Sequence, residues 1–194
     1  MKTAIRWGLW LPCLLTSSPA MAQEDNWPCV QRFVPSISAA ALWPFPELLP
    51  PSTAGWRDEE VITELARRLV KKGETDFSAI DSFAAAAPTA KRNQQMAALF
   101  AIAVELLNNQ RDKQLRLIID FAQRQRDLSE KIIADQSLLS VGGNDETAQR
   151  LIWSTRVYDE REKRLRFLCE RPILLEQRAF QIGRAIAAHI MEPQ

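Results

Sequence analysis

From residue 57 onward, apolar residues recur every three or four positions, and charged residues fall between them. Glycine and proline interrupt this pattern rarely, chiefly at Gly73, Pro88, Gly142–Gly143 and Pro172. Apolar residues at this spacing share one face of an α-helix, whereas the alternation that is typical of β-strands is nearly absent. The sequence therefore predicts an all-α fold, a single-domain helical bundle of about five helices.

The interruptions also set the predicted helix boundaries. A break is expected at Asn108–Asn109, and another at Pro172 because proline lacks the N–H that an α-helix needs. The predicted helical segments are 57–72, a short helix capped by Thr75 or Asp76 that ends before Pro88, 89–109, 112–140, 145–170 and 173–191.

Two of these segments, 112–140 and 145–170, are long and are joined by Gly142–Gly143. Asn144 is placed to cap the second helix, and Asp145–Glu146 bring negative charge to its first turn, where the helix dipole favours it. If the two helices run antiparallel about the glycines, residue i lies beside residue 285 − i. The chain therefore predicts a long antiparallel helical hairpin.

A polar waist divides the predicted hairpin. At this register the side chains of Arg124 and Arg126 face a run of acids on the second helix. A solvated face with salt bridges of small energy explains this pattern without a further role. The part of the hairpin on one side of the waist is called the base. Its apolar residues, which include Phe167, are expected to join the main core. The acids are Asp159, Glu160 and Glu162.

On the other side of the waist, the hairpin tip carries a second apolar cluster. Soluble monomers rarely leave such a cluster uncovered, so an exposed tip would indicate a partner or self-association. Trp153 is the natural anchor, because tryptophan supplies a large contact area at low entropic cost. The candidate partner surface consists of Trp153, Leu138, Leu139, Ile152 and Val157.

Residues 23–56 differ from the rest of the chain. They hold six of the eleven prolines together with five aromatic residues. The prolines forbid a long helix and the aromatic side chains need to be covered, so we expect an extended arm over the helical domain, 57–194. One short helix is predicted at about 36–43. The alternative is a recognition strip of proline and aromatic residues that captures a partner.

Residues 1–22 have the pattern of an export signal. Lys2 and Arg6 precede the apolar run 7–15, and Ala20–Met21–Ala22 provides small residues at the −3 and −1 positions of a cleavage site. The run is too short for a membrane anchor, which needs about 20 residues. We therefore expect cleavage after Ala22, no membrane insertion afterwards, and a periplasmic or secreted protein.

Two cysteines, Cys29 and Cys169, remain after cleavage of the signal. Because secreted proteins retain disulfide bonds, we predict that these two cysteines form one. The bond would staple the arm to the helical domain. The competing interpretations are a catalytic thiol, a zinc site and an intermolecular bridge. A catalytic cysteine would need a histidine, for which His189 is the one candidate, and zinc normally takes four ligands.

The charge balance and the motifs exclude several function classes. The chain has 25 basic and 24 acidic residues, which argues against a nucleic-acid partner. Phosphate-binding glycine loops, zinc-protease motifs and the serine-hydrolase elbow do not occur in the sequence. We therefore expect no cofactor, no metal and no catalytic residue. Glu105, within an apolar helix, is expected to pair with an arginine.

These features favour a protein that acts by binding. The expected role is an accessory, adaptor or chaperone-like subunit for another exported or envelope protein, with self-association as a variant. The alternative is a small apolar ligand held in a pocket between helices. An enzyme without a recognisable motif is the third hypothesis.

Overall fold

The computed structural model describes residues 26–71, 73 and 76–191, and the predicted signal 1–22 lies outside them. Within the described residues the chain forms α-helices and two 3₁₀ turns, with no strand, so the predicted all-α fold is confirmed. The helices are α1 (Ala39–Leu42), α2 (Glu60–Leu69), α3 (Ser78–Ala86), α4 (Arg92–Ser140) and α5 (Asp145–Ala187), and the turns are Pro46–Leu48 and Ala54–Trp56.

Two of the helices are very long, and both predicted breaks are wrong. α4 has 49 residues and α5 has 43 residues. Asn108 does not end α4, because its side chain binds the arm: it accepts from the N–H of Ile37 at 2.7 Å and donates to the carbonyl of Ile37 at 3.0 Å. An asparagine that would compete with helix hydrogen bonds in isolation is thus used in a tertiary contact.

α5 also continues through Pro172, which is buried between the two long helices. Proline removes the N–H that would bond the carbonyl four residues earlier. Here neighbouring side chains hold the backbone in place. Arg111 donates to the carbonyl of Pro172 at 2.9 Å, and the side chain of Gln31 donates to the carbonyl of Cys169. Tertiary contacts therefore override a local helix breaker.

The predicted register of the hairpin is confirmed. Arg150 binds Asp135 across the two helices at 2.7 Å, and Arg171 donates to Gln114 at 3.3 Å. In both pairs the residue numbers add to 285. The two contacts lie 21 residues apart on each helix, which is three repeats of seven. Along α5, buried residues recur every seven positions, at Leu165, Pro172, Ala179 and Ile186. This spacing is typical of a coiled coil, here an antiparallel one.

The turn between the long helices has the predicted cap. Gly142 has a φ of +103°, a conformation that glycine adopts without steric cost. The side chain of Asn144 accepts from the backbone N–H of Thr147 at 3.0 Å, and Asp145 and Glu146 stand in the first turn of α5. Asp76 similarly accepts from the N–H of Ser78 at 2.8 Å at the start of α3.

The hydrophobic core lies at one end of the hairpin. It is built from α2, α3, the first part of α4 and the last part of α5, and along the long helices it extends to Leu107 and Ala179. Phe100 lies at its centre, where it stacks on Trp43 with ring centroids 4.7 Å apart. A Cβ added at Gly183 would lie 3.0 Å from the Phe100 ring, so glycine permits this close approach.

The arm lies along the hairpin as predicted, with its short helix at Ala39–Leu42. Cys29 and Cys169 form the expected disulfide, with Cα atoms 5.7 Å apart. From there the arm descends antiparallel to α4. Its contacts follow in order: Asn26 with Arg126, Val34 with Arg111, Ile37 with Asn108, and Trp43 with Phe100.

A candidate partner surface on the helical hairpin

The hairpin tip, residues 128–157, extends past Arg126, the contact of Asn26, which is the first described residue of the arm. Within the described part of the chain, the hydrogen bonds and ion pairs of the tip stay within α4, α5 and their turn. The main core also ends far below it, at Leu107. The tip is therefore a two-helix projection.

The tip exposes large apolar side chains, and Trp153 is the largest of them. The exposed fraction is 66% for Trp153, 70% for Ile152 and 51% for Leu138. Leu139 and Val157 are half-buried. A cluster of exposed apolar side chains is the usual mark of an interaction site on a soluble protein.

An ion pair between the buried Asp135 and the exposed Arg150 joins the two helices of the tip. Arg150 contacts both carboxylate oxygens of the buried Asp135, with Nε 3.0 Å from Oδ2 and Nη2 2.7 Å from Oδ1. The hydrogen bond from Arg150 lowers the pKa of the Asp135 carboxyl below its ordinary value, and the positive charge of Arg150 adds to the effect. Bidentate contacts of this kind are strong and geometrically specific.

The polar waist exists, but its predicted arginine–acid pairs do not form. Arg126 donates to Asn26 of the arm at 3.2 Å and to Gln123 at 2.7 Å, and Arg124 is exposed. The contact across the helices comes instead from Gln125, which donates to Glu162 at 3.0 Å and to the carbonyl of Tyr158 at 3.2 Å. Gln125 is buried in the helix interface, and a neutral amide there avoids the cost of a desolvated charge.

The three waist acids are also separated from one another. Glu160 lies 3.6 Å from Arg156, one turn earlier on α5, and Asp159 is exposed. Successive residues on a helix point about 100° apart, so a run of charges in the sequence spreads around the helix. The waist is thus a solvated stretch of hairpin rather than a single charged site.

The hairpin has two flanks, one on each side of the seam between α4 and α5. The arm flank is the side on which the arm contacts Arg126 and Cys169. The open flank is the opposite side, and it is marked by the Asp135–Arg150 and Gln114–Arg171 contacts.

The candidate surface residues divide between these flanks. Trp153 and Leu138 each follow a member of the Asp135–Arg150 pair by three residues, which places them on the open flank, and Val157 is seven residues after Arg150. Ile152 lies on the arm flank, where it lines a shallow groove of about 580 Å³ with Thr155 and other residues. Leu139 lies at the seam.

One exposed aromatic residue was expected in the core. Phe167, at the base of the hairpin, is 68% exposed. The prediction that it joins the main core is wrong, because it lies outside the seam while Leu165 lies within it. The sequence does carry a signal for this position: Trp153, Phe167 and Leu174 are separated by multiples of seven residues.

The residues considered for chemistry have structural partners. Glu105 pairs with Arg57, as expected, and accepts from the hydroxyl of Thr53 at 2.7 Å. His189 lies with Nε2 3.0 Å from Asp81. The described residues contain no group of three His, Cys, Asp or Glu side chains that could hold a metal ion. They also contain no helix with the length and apolar character needed to cross a bilayer.

Comparison with family models, with curated proteins and with solved structures finds no match to this chain. Its function must therefore be inferred from the geometry of the hairpin and the arm.

Proposed function

We propose that this protein is an exported binding protein that acts as an accessory, adaptor or chaperone-like subunit for another exported or envelope protein, and that the hairpin tip carries the binding surface. The single observation that carries the proposal is the two-thirds exposure of Trp153 on a projecting pair of helices. Tryptophan is among the residues that most often dominate binding energy when a partner covers them.

The way in which the tip is held supports this role. The helices continue unbroken from the core to the tip, and the Asp135–Arg150 pair ties them together near the turn. A surface on rigid elements loses little conformational entropy on binding. The tip is therefore suited to present Trp153 in one fixed geometry.

The disulfide supports the exported location. Cys29 and Cys169 join the arm to α5 over a separation of 140 residues. Bonds of this kind persist in oxidising compartments and are rare in the cytosol. Together with the signal pattern of residues 1–22, this favours a mature chain that starts at Gln23, which the intact mass of the natural protein would measure.

The test is recovery of a partner from the native compartment with a matched pair of variants. We expect Trp153→Ala to reduce the recovery of a specific protein at least tenfold. Phe180→Ala removes another exposed aromatic from α5, at the core end of the hairpin, and should leave recovery unchanged. A partner whose recovery is equal in both variants, or the lack of any partner that depends on Trp153, would contradict the proposal.

A further inference from the structure

The open flank carries an apolar stripe that is longer than the tip. On α5 the stripe consists of Trp153, Phe167 and Leu174, at intervals of fourteen and seven residues, and each is more than half exposed. On α4 the exposed Leu117 and Leu138 lie 21 residues apart on the same flank. Between them the half-buried Leu128 and Val157 face each other at the hairpin register. The stripe therefore runs from the tip to the base, with Glu160 at the position of the repeat between Trp153 and Phe167.

An amphipathic helix of this chain already packs at the lower end of the same flank. α2 buries Ile62, Ala66 and Leu69. At its end, Arg178 donates from Nε to the carbonyl of Leu69 at 2.9 Å. Arg178 is seven residues after Arg171, which marks the open flank. The base of the flank thus accepts a third helix against the hairpin.

The flank continues after α2 ends. A groove of about 460 Å³ opens at this point between α2 and the hairpin. Its apolar lining includes Val70 from the end of α2 and Phe167, Leu174 and Leu175 from α5. A second helix that continued the line of α2 would cover Phe167 and Leu174, and farther along it would reach Trp153.

The charges along the stripe are mostly basic. Arg171 contacts the neutral Gln114, so its charge is not compensated there. Two exposed acids lie on this stretch: Glu160, whose partner is Arg156 on its own helix, and Glu170, which lines the groove with Phe167. The exposed basic residues beside the stripe are Arg124, Lys131, Arg164 and Arg171.

This charge selects among the occupants of the flank. A second copy of the chain, packed flank to flank, would bring basic side chains against basic side chains. Like charges that face each other across an interface oppose association, whereas acidic side chains opposite the basic ones favour it. The occupant that fits is a helix that carries Asp and Glu on both sides of its apolar face.

We infer that the open flank binds an amphipathic, acidic-bordered helix of the partner protein, which lies along the hairpin from Leu174 to Trp153. The inference rests on the proposed function and names the chemistry of its partner. Leu174 and Trp153 are 21 positions apart, so the bound helix is about 30 Å, or roughly 20 residues, long. Recognition is of the helix-in-groove kind, in which apolar side chains at helical spacing provide the anchors.

The test uses neighbouring residues that lie on opposite flanks. In one form of the full-length protein, p-benzoylphenylalanine replaces the exposed Lys131 of the open flank. In the other it replaces Glu130, one turn after Arg126 on the arm flank. Both forms are irradiated in the native compartment, and the cross-linked segment is identified by mass spectrometry. We expect a protein adduct from position 131 and not from position 130, on a helical segment bordered by Asp and Glu.

A charge reversal provides the second measurement. Arg164→Glu should lower the adduct yield from position 131 at least tenfold, because it places an acid opposite the partner's acids. Lys163→Glu is the matched control: it reverses the adjacent exposed charge, which lines the groove on the arm flank, and should change the yield less than twofold. Circular dichroism checks that both variants remain helical.

The remaining outcomes separate this inference from the proposed function. A protein adduct from position 130 alone, or one on a basic segment, overturns the inference and leaves the binding role in place. A second copy of the chain, a lipid or a bound small molecule at position 131 also overturns it. If neither position gives an adduct and no partner depends on Trp153, both proposals are wrong.

Discussion

Two side-chain nitrogens of Arg150 on α5 donate to the carboxylate of Asp135 on α4. The pair lies in a part of the hairpin that the hydrophobic core does not reach. Ile133, Leu138 and Ile152 of the tip are exposed and contribute little to the contact between the two helices. The ion pair is therefore expected to control the local stability of the tip rather than the global stability of the protein.

Asp135→Asn should speed amide hydrogen exchange across residues 128–157 and leave exchange at the base unchanged. Asparagine keeps the shape of the side chain but removes its charge, so the contact with Arg150 weakens. Glu130→Gln, at an exposed position five residues earlier on α4, is the control and should have no such effect. Faster exchange throughout both helices would show that the pair stabilises the whole fold.

The same pair predicts a pH dependence. The pKa of Asp135 is lowered from an ordinary value of 3.8 by its hydrogen bond to Arg150. A carboxyl with a depressed folded pKa contributes stability above its unfolded pKa, and that contribution is lost as pH falls through the folded pKa. Protection of the tip should therefore decline below about pH 4 in the natural protein. In Asp135→Asn this decline should be absent, and an unchanged decline would assign the effect to other groups.

Two tryptophans provide a matched comparison of core and surface. Trp43 is buried and stacks on Phe100, so Trp43→Ala should lower the free energy of unfolding by about 3–5 kcal/mol. Trp153 is exposed, so Trp153→Ala should change it by less than about 0.5 kcal/mol. Denaturant unfolding measures both values. A large loss in Trp153→Ala would mean that the tip is part of the stabilising core.

Loss of the disulfide should destabilise the protein and release the arm. The bond joins residues 140 positions apart, and removing a native disulfide of this kind costs about 2–5 kcal/mol. Cys29→Ser with Cys169→Ser should therefore lower the unfolding midpoint and increase hydrogen exchange in residues 26–34. A reductant should have the same effect on the natural protein and none on the double variant. If the reductant lowered the unfolding midpoint equally in both proteins, the effect could not be assigned to the Cys29–Cys169 disulfide.

The sequence predicted the helices, the turn and the register, because these depend on local periodicity and on capping residues. Asn144 and Gly142–Gly143 fix the turn, and the register then follows by counting. The sequence-based prediction failed at Asn108 and Pro172, where local preference predicts a break and contacts with distant residues accompany an unbroken helix. Those contacts come from the arm and from Arg111, which periodicity within a helix does not reveal.

The candidate site was predicted in part for a similar reason. The sequence places Trp153 in a second apolar cluster away from the main core, but it does not determine whether that cluster is exposed. The division of the surface into two flanks does not follow from the sequence either, because it depends on where the arm crosses the hairpin at Cys169. The sequence predicts Phe167 in the core because it is apolar and lies near Leu165, but a shift of two residues from Leu165 moves a helical side chain to another face.

Close packing of the long helices predicts an effect at Gly183. A Cβ at this position would lie 3.0 Å from one atom of the Phe100 ring and 3.3 Å from another. Since Phe100 is fully buried, the ring cannot move aside freely, and Gly183→Ala should cost about 1–3 kcal/mol of stability. Gly55→Ala is the control, because a Cβ at Gly55 meets nothing within 4 Å. Equal unfolding midpoints would show that α4 and α5 can separate at this point.

Arg111 joins the arm to both long helices, and its loss should be among the most damaging single changes outside the core. Its buried guanidinium donates to the carbonyls of Val34 and Pro172 and pairs with Glu176 at 2.8 Å. Arg111→Met keeps the volume but leaves the two carbonyls without their donor, while the half-exposed Glu176 can be solvated, so we expect a cost of about 1–3 kcal/mol.

Arg116→Met is the control for Arg111→Met. Arg116 is exposed and pairs with Asp112 on its own helix, so its loss should cost less than about 1 kcal/mol. Denaturant unfolding compares the two variants, and hydrogen exchange around Pro172 locates the damage. Rapid exchange there in Arg111→Met alone is expected, because Arg111 is the α4 side chain that donates to the Pro172 carbonyl. Slow exchange at Pro172 in Arg111→Met would show instead that packing alone carries α5 through the proline.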